Sequence, residues 1–438
     1  MQQGGNQVSL WSAVAMGIGA MVGAGIFALL GSAGAISGSA TWISFLIGAG
    51  IALTSGYSFG RLGARYPAAG GLVEYLVQAF GVGRFSGAMS VMMYLGSLVA
   101  VSLVARTFGS YALALLPDGA PEILLPLFAA GITLLFMAVN LGGAHAMTRA
   151  ENLVVVTKMA VLVVFAIAGL AYIDPARLAP STYPPTSMIF YSVAITFFAY
   201  EGFRVITNSA EDMANPARTL PRAMLTAIGL VALVYVALSV AVFGNLAPEE
   251  VIRAQDYALA EAARPVFGAV GFTVVAIAAL FSTASAINAA LYAATNVTYE
   301  MARKGELPAA FGHPIGKSRE GLVISTALII VMATFFDLSS IAEIGAISML
   351  LIHTAVHLGH LRLIGQTGAS RALVALAVLA NGATVSLGLY HLSRTEPALI
   401  GWIAGFFALA LLVEIVLHFV TAREVRPRTP PRGQSPKG

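Results

Sequence analysis

Cysteine is absent from the 438-residue chain, and that one absence excludes a disulfide framework, a thiolate zinc site and an iron–sulfur cluster. Charge is scarce as well. Asp, Glu, Lys and Arg make up 10% of the residues, against roughly 25% in an ordinary soluble domain, which excludes a soluble enzyme. Phosphate-binding GxxxxGK loops and HExxH pairs are also missing, so no ATP hydrolysis, metal catalysis or cofactor is expected. What is present is apolar: 58% hydrophobic residues and a mean hydropathy of +0.84, in long uncharged runs. Each helix that crosses a bilayer needs about 20 such residues. The composition therefore predicts an all-α polytopic membrane protein with the lipid bilayer as its solvent.

Hydropathy places about twelve transmembrane helices, at 10–33, 41–62, 86–116, 123–141, 151–173, 187–210, 221–245, 266–300, 322–337, 340–363, 372–392 and 397–420. With the N-terminus inside, 18 of the 24 Lys and Arg fall in cytoplasmic segments. Arg106, Arg177, Arg253, Arg264 and Arg394 fall outside, and Lys158 lies within the membrane. That bias predicts a multi-pass cell-membrane protein with both termini cytoplasmic. The net charge of +4 is spread among loops, so no nucleic-acid partner is expected. The first residues lack a basic n-region, which predicts a retained first helix rather than a cleaved signal. The Pro- and Arg-rich tail at 421–438 is expected to be disordered.

Two places interrupt the apolar runs. The first span carries Gly17, Gly19, Gly23 and Gly25. Close helix packing explains such small residues, as it does for Gly56 and Gly60 in the second span. For Gly23-Ala24-Gly25 there is a second reading: the helix opens and exposes N–H groups that favour a carboxylate. The sixth span has Phe198-Ala199-Tyr200-Glu201-Gly202-Phe203, a carboxylate and a glycine at membrane depth. Unwound backbone there is tolerated only beside a cavity or within protein. Breaks in corresponding helices of two halves point to a transporter's binding site, as in LeuT. The expected fold is therefore a LeuT-like 5+5 inverted repeat with helices 1 and 6 broken. Residues 1–173 would form the first repeat, 187–363 the second, and 372–420 helices 11 and 12.

Lys158, in ENLVVVTKMAVLVVFAIAGL, is about two turns from the cytoplasmic end. An intramembrane lysine costs about 2.5–3.5 kcal/mol at helix centre and is a functional candidate, although snorkelling to the headgroups is open to it. Glu201 has Arg204 at i+3, where an ion pair is natural, and contact with a cationic substrate or a proton is the alternative. His353, His357 and His360 share one helix face, a spacing able to hold a metal, yet no cysteine or neighbouring carboxylate accompanies them. Asn296-Val297-Thr298 reads as a coincidental sequon.

These motifs resemble the amino acid/polyamine/organocation superfamily of transporters, and within it a proton-coupled amino acid branch. The resemblance is carried by SLWSAVAMGIGAMVGAGIF at 9–27, FFAYEGF at 197–203 and GFRVITNSAEDMANPARTLPRAM at 202–224, with LFSTASAINA at 280–289 and KGELP at 304–308. It covers about the first ten spans, while the last two match only in hydropathy. It implies that a substrate carboxylate sits on the N–H groups of Gly23, Ala24 and Gly25. The amino group would meet carbonyls near Met21 and from Phe198 through Ala199 and Tyr200 to Glu201. Phe198 would close over the substrate, and Tyr94 would border the pocket. Lys158 would stand where sodium-coupled relatives hold their cation, near the Gly19 carbonyl and the hydroxyls of Ser282 and Thr283, as the proton-coupling group. Glu201 departs from that branch, where the position is apolar. The expected function is proton-coupled amino acid import. An exchanger or uniporter for amino acids, amines or polyamines on the same fold, or a non-transporting amino acid sensor, are the alternatives. A channel would need a charge ring or filter repeat that is not found.

Overall fold

The computed structural model describes residues 7–68, 70–81, 83–117, 119–142, 148–303, 309–316 and 318–421. KGELP and nearly all of the tail lie outside the described residues. The first half comprises α1 (Leu10–Ser37), α2 (Thr41–Arg65), α3 (Leu72–Phe80), α4 (Arg84–Ala114), α5 (Leu124–Leu141) and α6 (Thr148–Ala171). The second comprises α7 (Thr186–Tyr191), α8 (Val193–Tyr200), α9 (Pro216–Asn245), α10 (Pro248–Arg253), α11 (Ala258–Glu261), α12 (Arg264–Arg303), α13 (Glu320–Phe335) and α14 (Leu338–Thr367). Helices α15 (Arg371–Thr395) and α16 (Pro397–Thr421) follow. All twelve expected spans fall on helices. Among the described residues, ten stretches are long and apolar enough to cross a membrane, one of them joining the end of α1 to α2. At 16 residues, α13 is only about 24 Å long, short of the ~30 Å hydrocarbon core.

Local chemistry sets the helix ends. The Asp337 side chain accepts from the Ser340 N–H at 2.8 Å and starts α14, while Gly368, in the left-handed region at φ +60°, ends it. Pro216 opens α9, where its missing N–H costs nothing. Inside the bundle, hydroxyls such as Ser102, Thr107, Thr133 and Ser239 return to carbonyls four residues back, which satisfies them where no water is available.

Three features differ from the sequence expectation. The short helix α3 lies between the second and third spans, and its apolar face is buried. An antiparallel pair of two-residue strands, β1 (Pro314–Ile315) and β2 (Ser318–Arg319), lies between α12 and α13. The third concerns the breaks. α1 runs as one helix from Leu10 to Ser37, straight through Gly23-Ala24-Gly25, so the expected interruption of helix 1 is corrected: these glycines serve close packing in this conformation. In the sixth span α-helix does give way, at Glu201, to a 3₁₀ segment that lasts until Asp212. Twelve residues of 3₁₀ helix far exceed the usual three or four, and such a stretch often marks a hinge.

Candidate functional site

The centre of the molecule is the crossing of α1 with α8 and the 3₁₀ segment. A Cβ on Gly25 would run into the Ala199 carbonyl oxygen and the Tyr235 hydroxyl. A Cβ on Gly202 would run into the backbone of Ala20 and Met21. Both positions are glycine because two main chains touch there. The structure thus brings Met21, Gly25, Ala199 and Glu201 to one place. Gly23, two residues before Gly25, faces Ala286 of α12, and Ala24 continues the helix between them.

Four other helices send a donor to carbonyls of this part of α1. The Lys158 Nζ of α6 donates to Gly19 at 2.8 Å, and the Tyr235 hydroxyl of α9 donates to Met21 at 2.8 Å. Ser282 of α12 donates to Val22 at 3.0 Å, and Tyr111 of α4 donates to Phe27 at 3.2 Å. Lys158 is only 3% exposed, so its ammonium is buried on a carbonyl rather than snorkelling to the headgroups. Ser282 and Thr283 are fully buried as well, but Thr283 donates to Ala279 of its own helix at 2.7 Å. Tyr235 escapes sequence reasoning: a tyrosine in the apolar run VALVYVALSV carries no positional signal.

The expected aromatics divide. Phe198 is buried with its ring against Gly345 of α14, where a Cβ would leave no room for it. Tyr200 turns away from the crossing and donates to the Phe45 carbonyl of α2 at 3.1 Å. Tyr94 is held elsewhere, sharing a hydrogen bond with Ser325 of α13 at 2.8 Å and meeting Phe311 edge to face.

Glu201 pairs with Arg204, Nε to Oε1 at 2.8 Å, as the i+3 spacing suggested. A second partner comes from across the bundle: His353 Nε2 lies 3.3 Å from Glu201 Oε2. The histidine face therefore does have a carboxylate beside it, contrary to the expectation from neighbouring sequence. Neither contact has hydrogen-bond angles, so both Glu201 oxygens and both His353 nitrogens are buried without a hydrogen bond. His357 and His360 are bonded to Ser55, Ser58 and Thr367.

Comparison with known proteins identifies the family of the chain. The amino acid permease family model matches residues 8–431. The inner membrane transport protein YbaT of Escherichia coli is 37% identical over 417 residues, covering 94% of this chain and 97% of YbaT. The Methanocaldococcus jannaschii protein MJ0609 is 35% identical over 426 residues, covering 97% and 98%. The methylthioribose transporter of Bacillus subtilis is 26% identical over 376 residues, covering 80% and 79%. With the family matched across nearly the whole chain, and apolar helices to cross a membrane, the protein is a multi-pass membrane transporter and not an enzyme; it belongs to the amino acid permease family of the amino acid/polyamine/organocation superfamily.

Proposed function

We propose that this transporter imports amino acids together with protons by alternating access between two inverted repeats, from the cell membrane and with both termini in the cytoplasm. The observation that carries the coupling is the buried Lys158 ammonium on the Gly19 carbonyl of α1. The ammonium is out of water and held by a carbonyl of α1, so a change in access at this site changes what the cation meets. A cation fixed to α1 is thereby linked to the helix on which substrate is bound.

In this reading the substrate carboxylate takes the N–H groups of Gly23, Ala24 and Gly25, and its amino group takes the Met21 carbonyl and those from Phe198 to Glu201. The conformation described here has α1 helical through Gly25 and Tyr235 on Met21. Substrate binding then requires two changes: α1 opens at the glycines, and the ammonium displaces the Tyr235 hydroxyl. Phe198, packed at Gly345, covers the site from α8.

The test is labelled amino acid uptake into proteoliposomes under an inward proton gradient. Lys158→Ala should lose gradient-driven accumulation, and so should Lys158→Arg, because a guanidinium stays protonated. Wild-type accumulation by either variant refutes the coupling role. An amine or polyamine exchanger or uniporter is the second reading, favoured by the Glu201 carboxylate at the start of the 3₁₀ segment. A substrate panel separates the two, and binding without any uptake would mark a sensor.

A further inference from the structure

A column of buried polar side chains leads away from Glu201 along α14. His353, His357 and His360 are each fully buried. His353 lies 3.3 Å from the Glu201 carboxylate inside a collar of Phe59, Phe197 and Phe203, with ring centroids at 4.8, 5.5 and 6.0 Å. His357 follows, its ring centroid 6.2 Å from that of His353. Its Nε2 meets Ser55 Oγ at 3.0 Å and its Nδ1 meets Ser58 Oγ at 2.9 Å. Ser58 continues to His360 Nδ1 at 2.8 Å, and His360 Nε2 continues to Thr367 Oγ1 at 2.9 Å. At Thr367 the column reaches the end of α14, where Arg61 of α2 donates to the carbonyls of Thr367 and Gly368. That end is the one the charge distribution assigns to the cytoplasm.

We propose that Glu201 is a second protonation site and that this column is its proton path to the cytoplasmic end of the bundle. The inference rests on the proton-coupled reading of the transporter but not on Lys158. Three buried histidines and a carboxylate in an apolar bundle cost free energy that packing alone would not require. Chains of Asp, Glu and His are the usual means of moving protons across a membrane interior. The chemistry balances at each step. The Glu201 carboxyl gives its proton from Oε2 to His353 Nε2, leaving a carboxylate and an imidazolium. The imidazolium loses a proton from Nδ1, which has no hydrogen-bond partner. One water, or a turn of the His353 ring, carries it across the step to His357. His357 takes the Ser55 hydroxyl proton at Nε2 while the carrier reprotonates Ser55, and it releases a proton from Nδ1. Ser58 then accepts from that nitrogen and donates to His360 Nδ1, and His360 releases a proton from Nε2 toward Thr367.

The charged and titratable neighbours fit such a path. Arg204 of the 3₁₀ segment and His353 face Glu201; His353 and His360 face His357; Arg61 of α2 faces His360. α15 contributes the neutral Asn381, bonded to Ser55 at 3.1 Å. From α3, Ala79 and Phe80 pack on Gly359, and from α4, Val99 packs near Gly345. Arg204 holds the Glu201 carboxylate once the proton has left, which gives the empty state of the site a counter-ion.

The test uses full-length protein in proteoliposomes with an entrapped pH dye, recording substrate-driven proton flux beside gradient-free exchange of labelled substrate. Ser58→Ala removes the bridging hydroxyl at almost no change in volume, and His360→Gln keeps hydrogen bonding without titration. Both should lower proton flux at least tenfold while exchange stays at the wild-type rate. Wild-type proton flux in both variants overturns the path and leaves the Lys158 reading standing. Equal loss of flux and exchange also overturns it, because the side chains would then be structural. A wild-type protein that moves no protons with substrate brings down the path and the coupled-transport reading together.

Discussion

Replacing Gly25 by alanine tests the contact on which the site rests. The added methyl meets the Ala199 carbonyl oxygen and the Tyr235 hydroxyl. The carbonyl belongs to α8 and cannot turn aside; the hydroxyl can move only by giving up its 2.8 Å bond to Met21. Overpacking costs about 1–3 kcal/mol and the lost hydrogen bond about 1 kcal/mol. Alanine's better helix propensity returns about 0.8–1 kcal/mol. The net destabilisation is about 1–3 kcal/mol, which for a chain of 438 residues lowers Tm by roughly 1–3 °C. Gly50→Ala is the control, because nothing lies within 4 Å of a Cβ there, and it should melt at or slightly above the wild-type temperature. Thermal unfolding of the purified protein in detergent measures both, with amino acid affinity measured alongside. Gly25→Ala should also weaken binding, since α1 and α8 must separate to admit the methyl. If it melts and binds like Gly50→Ala, the two main chains are not in contact and the site has been built on the wrong crossing.

Further outcomes follow from other contacts. Glu201→Gln leaves the Arg204 side chain, 18% exposed, without its countercharge and should cost about 1–3 kcal/mol; Glu201→Gln/Arg204→Gln should recover part of that, and simply additive losses in a stability cycle would dissolve the pair. In the same variant, cationic substrates should weaken more than neutral ones only if Glu201 touches substrate, which a transport panel reads directly. Tyr94→Phe removes the bond to Ser325 and should cost about 1 kcal/mol with amino acid affinity intact; a tenfold loss of affinity would put Tyr94 at the site. Outside the spans, burial pushes the Asp256 carboxyl up, against a hydrogen bond from Ser110. The folded state then holds a proton more tightly than the unfolded chain. That stabilisation is full below the ordinary aspartate value and is lost as pH rises through the raised one. Asp256→Asn should flatten this part of a Tm-against-pH curve, and an unchanged slope would assign it to another group.

The sequence by itself determined the class, the spans and the two glycine-bearing stretches, because hydropathy and glycine content are local properties that the bilayer reads one segment at a time. Lys158 was legible for the same reason: a charge in an apolar run is costly wherever the helix goes. The i+3 pair of Glu201 and Arg204 was legible from helical geometry alone. Only the tertiary structure decided that α1 stays helical through Gly25, that Tyr235 covers Met21, and that Tyr94 faces Ser325. It also decided that His353 meets Glu201 and that Ser58 joins His357 to His360. A helix that is apolar all round has no polar stripe opposite an apolar one, so its residue pattern does not say which face meets a partner. In lipid the choice falls to small residues and polar contacts between helices far apart in the chain, and those partners exist only once the bundle has packed.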